Sequence, residues 1–366
     1  MRVTNGMIRN NMVNSLYTNM SRLDTLYNQM NSLKKIQRPS DDPIIAGRSL
    51  KLRINVLEAE QYKSNTDEAT SWMEITEKAL GNVTEILKQI NTRCVQASTD
   101  TLATEDREKI EAEINQLWEQ LQQEANVTYA GRCVFSGYKT DEPPVLTKET
   151  TLTQPTELES DLILLKGTKV SADVLDGGGT VLIAAGTTLT EDITIPAGAT
   201  LPTNTVLPKG TINPNVLGKI DEQNIQYEVG VGSTISVNTL GMDRLMSKLF
   251  ADIKEIKDGL ESHSDSDTSN DVNLHDLFEG KIGDFADRLL DVSTMTADLG
   301  SRVNRLEYTA TRLVDDKTNF TELLSKTEDV DLEEVYVEFN SQYAVYQSAL
   351  QATSKVIMNT LADFLR

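Results

Sequence analysis

Residues 285–324 read FADRLLDVSTMTADLGSRVNRLEYTATRLVDDKTNFTELL. Phe285, Val292, Leu299, Leu306, Leu313 and Phe320 recur at strict sevens, and Leu289, Thr296, Val303, Ala310, Lys317 and Leu324 form a second column beside them. Two columns at that spacing make a seam along one side of a helix. Over this stretch the seam is about 60 Å long, which commits the helix to lengthwise packing. Beyond it, Glu328-Asp329-Val330-Asp331 punctuates the chain. A final helix then carries Tyr336, Tyr343, Leu350, Ile357 and Phe364 at sevens, with neither Gly nor Pro up to Arg366. On the other side, the polar run from Ser262 to Asp271 predicts a loop, and Leu245, Leu249, Ile253, Ile256 and Leu260 predict a helix before it.

The opposite end of the chain has the same character. Met12, Leu16, Leu23, Leu26, Met30 and Leu33 fall on a heptad whose two defective positions are Arg9 and Asn19, and Val13, Met20 and Tyr27 widen the stripe. Nothing between Asn10 and Arg38 is a Gly or Pro, so no helix breaker interrupts it. Arg38-Pro-Ser-Asp-Asp-Pro43 predicts a loop, because each proline drives its predecessor to extended backbone. One helix is expected from Ile44 to Glu60, and another through Trp72, Ile75, Ala79, Val83, Ile86 and Ile90. A third starts at Thr104-Glu105-Asp106, with Ile110, Ile114, Leu117, Leu121 and Ala125 on its buried face. Two amphipathic terminal helices, each with an uncovered stripe, predict pairing with each other and then with other copies.

After Phe135-Ser-Gly-Tyr138 the pattern changes. From about Pro143 to Gly241 the chain is rich in Thr, Gly, Pro and Val. Ile183-Ala-Ala-Gly-Thr-Thr-Leu189, Ile195-Pro-Ala-Gly-Ala-Thr-Leu201 and Leu207-Pro-Lys-Gly-Thr-Ile212 align at a period of 12, and Leu164-Leu-Lys-Gly-Thr-Lys-Val170 is a looser copy. Short strand, glycine corner, short strand is the unit this predicts. A last strand pair is expected at Gln226–Gly230 and Ser233–Val237.

Composition narrows the function. The 366 residues carry 35 basic and 56 acidic side chains, a net charge of −21, which argues against phosphate-backbone or anionic-membrane binding. No apolar run approaches the ~18–20 residues of a membrane span, and the N-terminus lacks the apolar core of a cleaved signal peptide. Two cysteines, Cys94 and Cys133, are expected to be free thiols. His263 and His275 are the only histidines, so no zinc site is expected. Asp265–Asp276 resembles an EF-hand loop, but Asn270 replaces the usual Gly and Asp276 the longer Glu, which makes a solvated loop the better reading. Asp176-Gly-Gly-Gly-Thr180 has neither the lysine nor the spacing of a phosphate loop and reads as a tight turn. No catalytic residues, metal or cofactor are expected.

These termini resemble the flagellin superfamily, and within it the hook-associated protein 3 family of hook–filament junction proteins. The resemblance rests on Met1-Arg-Val-Thr-Asn5, Asn11 to Leu33, Arg38-Pro-Ser-Asp-Asp-Pro43, Glu113 to Gly137, and Leu306 to Arg366 with Asp329-Val-Asp331 and Tyr346-Gln-Ser-Ala-Leu350. Flagellins usually have Asp-Asp-Ala-Ala-Gly where this chain has Pro39-Ser-Asp-Asp-Pro43; that and the ending Leu361-Ala-Asp-Phe-Leu365 favour the junction family. The Gly-Thr repeats from Leu164 to Ile212 have no counterpart in the resemblance.

The resemblance implies a mainly α, elongated, flagellin-like antiparallel helical bundle built from both chain ends, with an inserted β-rich domain. Residues 1–38 and 328–366 would be the inner-tube helices, 39–140 and 241–327 the surrounding bundle, and 141–240 the outer insertion. The implied assembly residues are Leu16, Leu23, Leu26, Met30, Leu33, Tyr336, Tyr343, Leu350, Ile357 and Phe364. The implied partners are hook-associated protein 1, flagellin, further copies of the chain, and an export chaperone with the flagellar type III export apparatus. The implied location is the extracellular flagellum, reached without a cleaved signal peptide. The rival roles are a flagellin filament subunit and a secreted coiled-coil adhesin that uses the β insertion.

Overall fold

The computed structural model describes residues 5–98, 104–158, 161–191, 193–216, 223–239, 241–262 and 274–364. Its helices are α1 (Asn5–Ser32), α2 (Pro43–Ala97), α3 (Thr104–Ala125), α4 (Met242–Ser262), α5 (Leu274–Glu328) and α6 (Leu332–Phe364). Between α3 and α4 lie short strands, so terminal helices flank a β-rich inserted region as expected. The chain divides into two compact units, residues 1–62 with 311–366, and residues 63–310.

Where two helices were expected after the proline loop, α2 is a single helix of 55 residues. The stretch between Glu60 and Trp72 has Tyr62 as its one large hydrophobic side chain, yet the seam continues through it on small ones. Ala59, Thr66, Ala69, Met73 and Thr76 are all buried at heptad steps. Thr76 Oγ1 donates to the Trp72 carbonyl at 2.9 Å, so its hydroxyl needs no outside partner.

The 63–310 unit has one connected hydrophobic core. It is built from Trp72, Leu80, Leu87 and Ile90 of α2, Ile114 and Leu121 of α3, Leu249 and Ile253 of α4, and Phe285, Val292, Leu299 and Leu306 of α5. In this unit the expected α5 column is buried throughout, and its companion Leu289–Val303 is partly buried. Cys94 and Cys133 are both buried and unpaired.

The strands join the same core. They are β1 (Thr128–Tyr129), β2 (Arg132–Cys133), β3 (Thr150–Thr151), β4 (Thr156–Glu157), β5 (Leu162–Leu164), β6 (Val174–Leu175), β7 (Val181–Ile183), β8 (Ile193–Ile195), β9 (Thr200–Leu201), β10 (Val206–Leu207), β11 (Gln226–Gly230) and β12 (Ser233–Ser236). One sheet has the order β4-β9-β6-β7; β5 pairs with β8 and β10 with β3, all antiparallel. β11 and β12 form the expected hairpin.

The repeat is a hexapeptide, half the period expected. Ile183, Leu189, Ile195, Leu201, Leu207 and Asn213 lie six residues apart and are all buried. Three residues after Ile183, Ile195 and Leu207 the chain turns at Gly186, Gly198 and Gly210, each with φ between 76° and 90°. After Leu201 the same corner is Asn204 at φ 60°, a residue that tolerates left-handed backbone. At the corners after Leu201 and Leu207 a buried Thr, 205 or 211, donates its hydroxyl to the carbonyl three residues back, 2.8–2.9 Å away. The sequence Asp176–Thr180 is the expected turn: Asp176 Oδ1 accepts from the amides of Gly178 and Thr180 at 2.9 and 2.7 Å.

Candidate functional site

The candidate site lies in the unit formed by both chain ends. α1 and α6 pack antiparallel: Arg22 pairs with Glu338 at 2.7 Å, and Gln342 Nε2 donates to Asn19 Oδ1 at 3.2 Å. The second of these contacts gives the defective seam position Asn19 a partner across the pair. On α1 Met12, Leu16, Asn19, Leu23, Leu26 and Met30 are all partly or wholly shielded, as are Val13, Asn28, Gln29 and Ser32, so the expected heptad lies on the packed face. Leu26 alone among its described residues is fully buried.

On α6 the packed face is displaced by one residue from the expected column. Val335, Phe339, Gln342, Tyr346, Ala349 and Thr353 are buried or partly buried. Tyr336, Tyr343 and Leu350 stand about 100° round the helix from Val335, Gln342 and Ala349, and are 54%, 47% and 43% exposed. Tyr17, Met20 and Tyr27 of α1 are exposed too. Ile357 and Phe364 fall within α6, but their side chains lie outside the described residues. The paired helices thus keep one row for each other and leave large apolar side chains on the surface.

α1 ends at Ser32, six residues before the stretch that offers a breaker. Leu33 adopts left-handed backbone at φ 58°, so the last expected seam residue leaves the helix. The compensation is long-range. Leu33 O accepts from Val330 N at 3.1 Å, Lys35 N donates to Glu328 O at 2.7 Å, and Lys34 forms an antiparallel bridge with Asp329. This small ribbon pins the exit of α1 to the junction of α5 and α6. Beside it the Glu328 carboxylate is buried between the Arg53 guanidinium and Lys34 Nζ, the latter 3.4 Å away.

Each acid of the proline-flanked loop has a job. Asp41 Oδ2 accepts from the amides of Gln37 and Arg38 at 3.2 and 2.9 Å and closes the turn. Asp42 Oδ1 accepts from the amides of Ile44 and Ile45 at 2.9 and 3.0 Å, capping α2, while Pro43 occupies the first helical position, where no amide is needed. Asp331 caps α6 in the same way through the Glu333 amide at 3.0 Å. A groove of about 390 Å³ runs between this loop and the start of α2, lined among others by Ile36, Pro39, Gly47, Leu50 and Arg53. The EF-hand-like stretch Asp265–Asn273 and His263 lie outside the described residues; Leu274–Asp276 begin α5. No metal-ligand cluster occurs among the described residues.

The family described as the bacterial flagellin N-terminal helical region matches residues 3–140, and that described as the bacterial flagellin C-terminal helical region matches residues 284–364. Together they span more than half of the chain and contain every residue of the α1–α6 pair described above. The chain belongs to the flagellin family.

A flagellin from Clostridium tyrobutyricum is 24% identical over 95% of this chain and 97% of its own length. A flagellar hook-associated protein 3 from Escherichia coli K12 is 35% identical, but over 32% of this chain and only 37% of its own length. A solved structure of a flagellar hook-associated protein from Vibrio parahaemolyticus superposes with a TM-score of 0.51 at 16% identity, covering 79% of this chain and all of that one. That likeness supports the flagellin-like fold. Both family matches stop short of residues 141–283, which hold most of the strands and α4.

Sequence reasoning missed two parts of this flagellin-family site. The packed column of α6 is diluted by Gln342, Ala349 and Thr353, so the bulkier column beside it dominated the pattern. Glu328 gave no signal at all, because only the fold brings Arg53 and Lys34 to it.

Proposed function

We propose that this chain is a structural subunit of the bacterial flagellum that joins the hook to the flagellin filament. In this role α1 and α6 form the inner part of the assembly by packing against neighbouring copies. Hook-associated protein 1 lies on the hook side and flagellin on the filament side. An export chaperone holds the C-terminal helix until the chain leaves through the type III channel to its extracellular position. Flagellin-family proteins are structural, and no reaction is assigned to this one. The observation that carries the reading is the row Tyr336, Tyr343 and Leu350, left uncovered beside a packed row on the same helix. The ten expected assembly residues divide accordingly: Leu16, Leu23, Leu26 and Met30 hold the pair together, Leu33 leaves the helix to form the ribbon, Tyr336, Tyr343 and Leu350 meet the next subunit, and Ile357 and Phe364 continue their column.

The junction role is supported by the locally higher identity to hook-associated protein 3 and by the proline-flanked loop. The near full-length similarity to a flagellin supports a second reading, a filament subunit. Immunogold labelling of sheared flagella separates them. Label confined to one end of the filament and a trace band on gels are expected for a junction protein. Uniform label and a dominant band would establish a filament subunit, and absence from flagella would leave the adhesin role.

A further inference from the structure

Within the 63–310 unit, a recess of about 260 Å³ opens where two corners of the hexapeptide repeat meet α3 and α4. Lys166 precedes Gly167 in one repeat and Lys209 precedes Gly210 in another, so the two occupy the same repeat position. At that position the copies that start at Ile183, Leu189, Ile195 and Leu201 have Ala185, Glu191, Ala197 and Thr203. Lysine therefore stands only at the two corners that line the recess. Lys254 and Lys257, one helical turn apart on α4, line it from the other side.

The lining holds four lysines and one acid, Asp258, in a chain of net charge −21. Asp258 sits 3.3 Å from Lys254, and Glu119 lies 3.5 Å from Lys209, so carboxylates help to position these lysine heads. The remaining lining is apolar. Trp118, Leu165 and Ile253 line it, and the Trp118 ring packs on Phe250 with centroids 4.3 Å apart. Gly210 lies against α3: a Cβ there would stand 2.9 Å from Gln122 Nε2, so the corner that carries Lys209 abuts that helix.

We propose that this recess binds a small ring compound bearing a phosphate or sulfate ester. Four ammonium groups around one recess suit a compact oxyanion, which lysine meets as a point charge, and an aromatic side chain in the same lining suits a ring. The volume lies just below the usual range for small-molecule pockets, about 300–1,000 Å³, and so favours one ring with its ester over a longer chain.

The full-length chain can be titrated with glucose 6-phosphate and glucose 6-sulfate while tryptophan fluorescence is followed, with glucose and inorganic phosphate as controls. Of the two tryptophans, Trp72 is buried against Tyr129, so Trp118→Phe assigns the signal. A saturable change with an ester, absent in Trp118→Phe, is expected. It should weaken about tenfold in Lys209→Gln/Lys257→Gln and again as ionic strength rises from about 0.05 to about 0.5 M. Response to one ester alone identifies the source as phosphorylated or sulfated. Circular dichroism establishes that the double variant is folded; if it is not, the salt titration of the unaltered chain decides. The proposal is overturned if neither ester saturates, if glucose or inorganic phosphate does as well, or if binding ignores both the lysines and salt.

Discussion

Asp252 on α4 is a buried carboxylate with two cations turned toward it, Lys281 Nζ at 2.8 Å and Arg288 Nε at 3.4 Å. Neither Asp252 Oδ2 nor Arg288 Nε has a hydrogen-bond partner, so that contact is an ion pair without hydrogen-bond geometry. Lys281 also reaches Glu255 at 2.6 Å and Asp284 at 3.2 Å. Burial alone would lower its pKa, but these three carboxylates outweigh burial and hold it above the ordinary lysine value. Cys94 is also displaced upward: burial pushes its thiol to about 12. Both groups have folded pKa values above their unfolded ones. Their contribution is therefore complete below the unfolded values, about 8.5 for Cys and 10.4 for Lys, and is lost as pH rises through the folded ones. The melting temperature should hold to about pH 8 and fall steadily above about pH 9. Asp252→Asn should cost about 2–3 kcal/mol at neutral pH, because it leaves buried cations short of a counter-charge. Thermal unfolding at several pH values checks the first, and urea unfolding of the variant at neutral pH the second. A variant as stable as the parent would mean that Lys281 is satisfied by Glu255 and Asp284 alone.

At the scale of elements, the hexapeptide corners and the terminal helices call for different substitutions. Leu201 is fully buried in β9, and Leu201→Ala should cost about 2–4 kcal/mol. Asn204 already accepts left-handed backbone, so Asn204→Gly should stay within about 1 kcal/mol, whereas Asn204→Val should be distinctly worse. Thermal unfolding monitored by circular dichroism ranks the three. On the terminal helices, Leu26→Asp should break the α1–α6 pair, while Leu350→Asp should leave it intact and block assembly, so that flagellin appears in the culture medium. Equal helical content in the two purified variants would mean that Leu26 is not the anchor of the pair. The elements themselves were legible because their apolar residues are large and periodic, as in Phe285–Phe320. The continuity of α2 was not, since Thr66 and Ala69 carry the seam with small side chains. Nor was the six-residue period, because Asn204 stands where the pattern sought glycine. The end of α1 at Leu33 depends on backbone partners some 300 residues away, which no local window contains.

At the scale of the whole molecule, the two compact units differ in what they bury. The 63–310 unit has a connected core of large side chains from four helices and most of the strands. In the unit made by the chain ends, Leu26 is the one buried residue among those described on α1, and the described part of α6 contributes Val335 and Thr353. An amphipathic helix owes its stability mainly to tertiary packing of its apolar face, so a pair that buries this little is marginal alone. Assembly would then supply the missing apolar cover and turn a pair that opens readily in the free chain into a stable one. That arrangement keeps newly made chains from polymerising early. Dilute purified chain treated briefly with trypsin should be cut first near Lys34, Lys35, Arg38 and Lys355, leaving a resistant fragment that contains residues 63–310. The same sites should be protected in isolated flagella. Excision of residues 143–240 should, by contrast, lower the melting temperature of that fragment, because Leu162, Leu164 and Leu207 belong to the core they share with α4. Should both ends of the dilute chain survive digestion as long as the 63–310 fragment, the ends are already stable before assembly, and another device must restrain polymerisation.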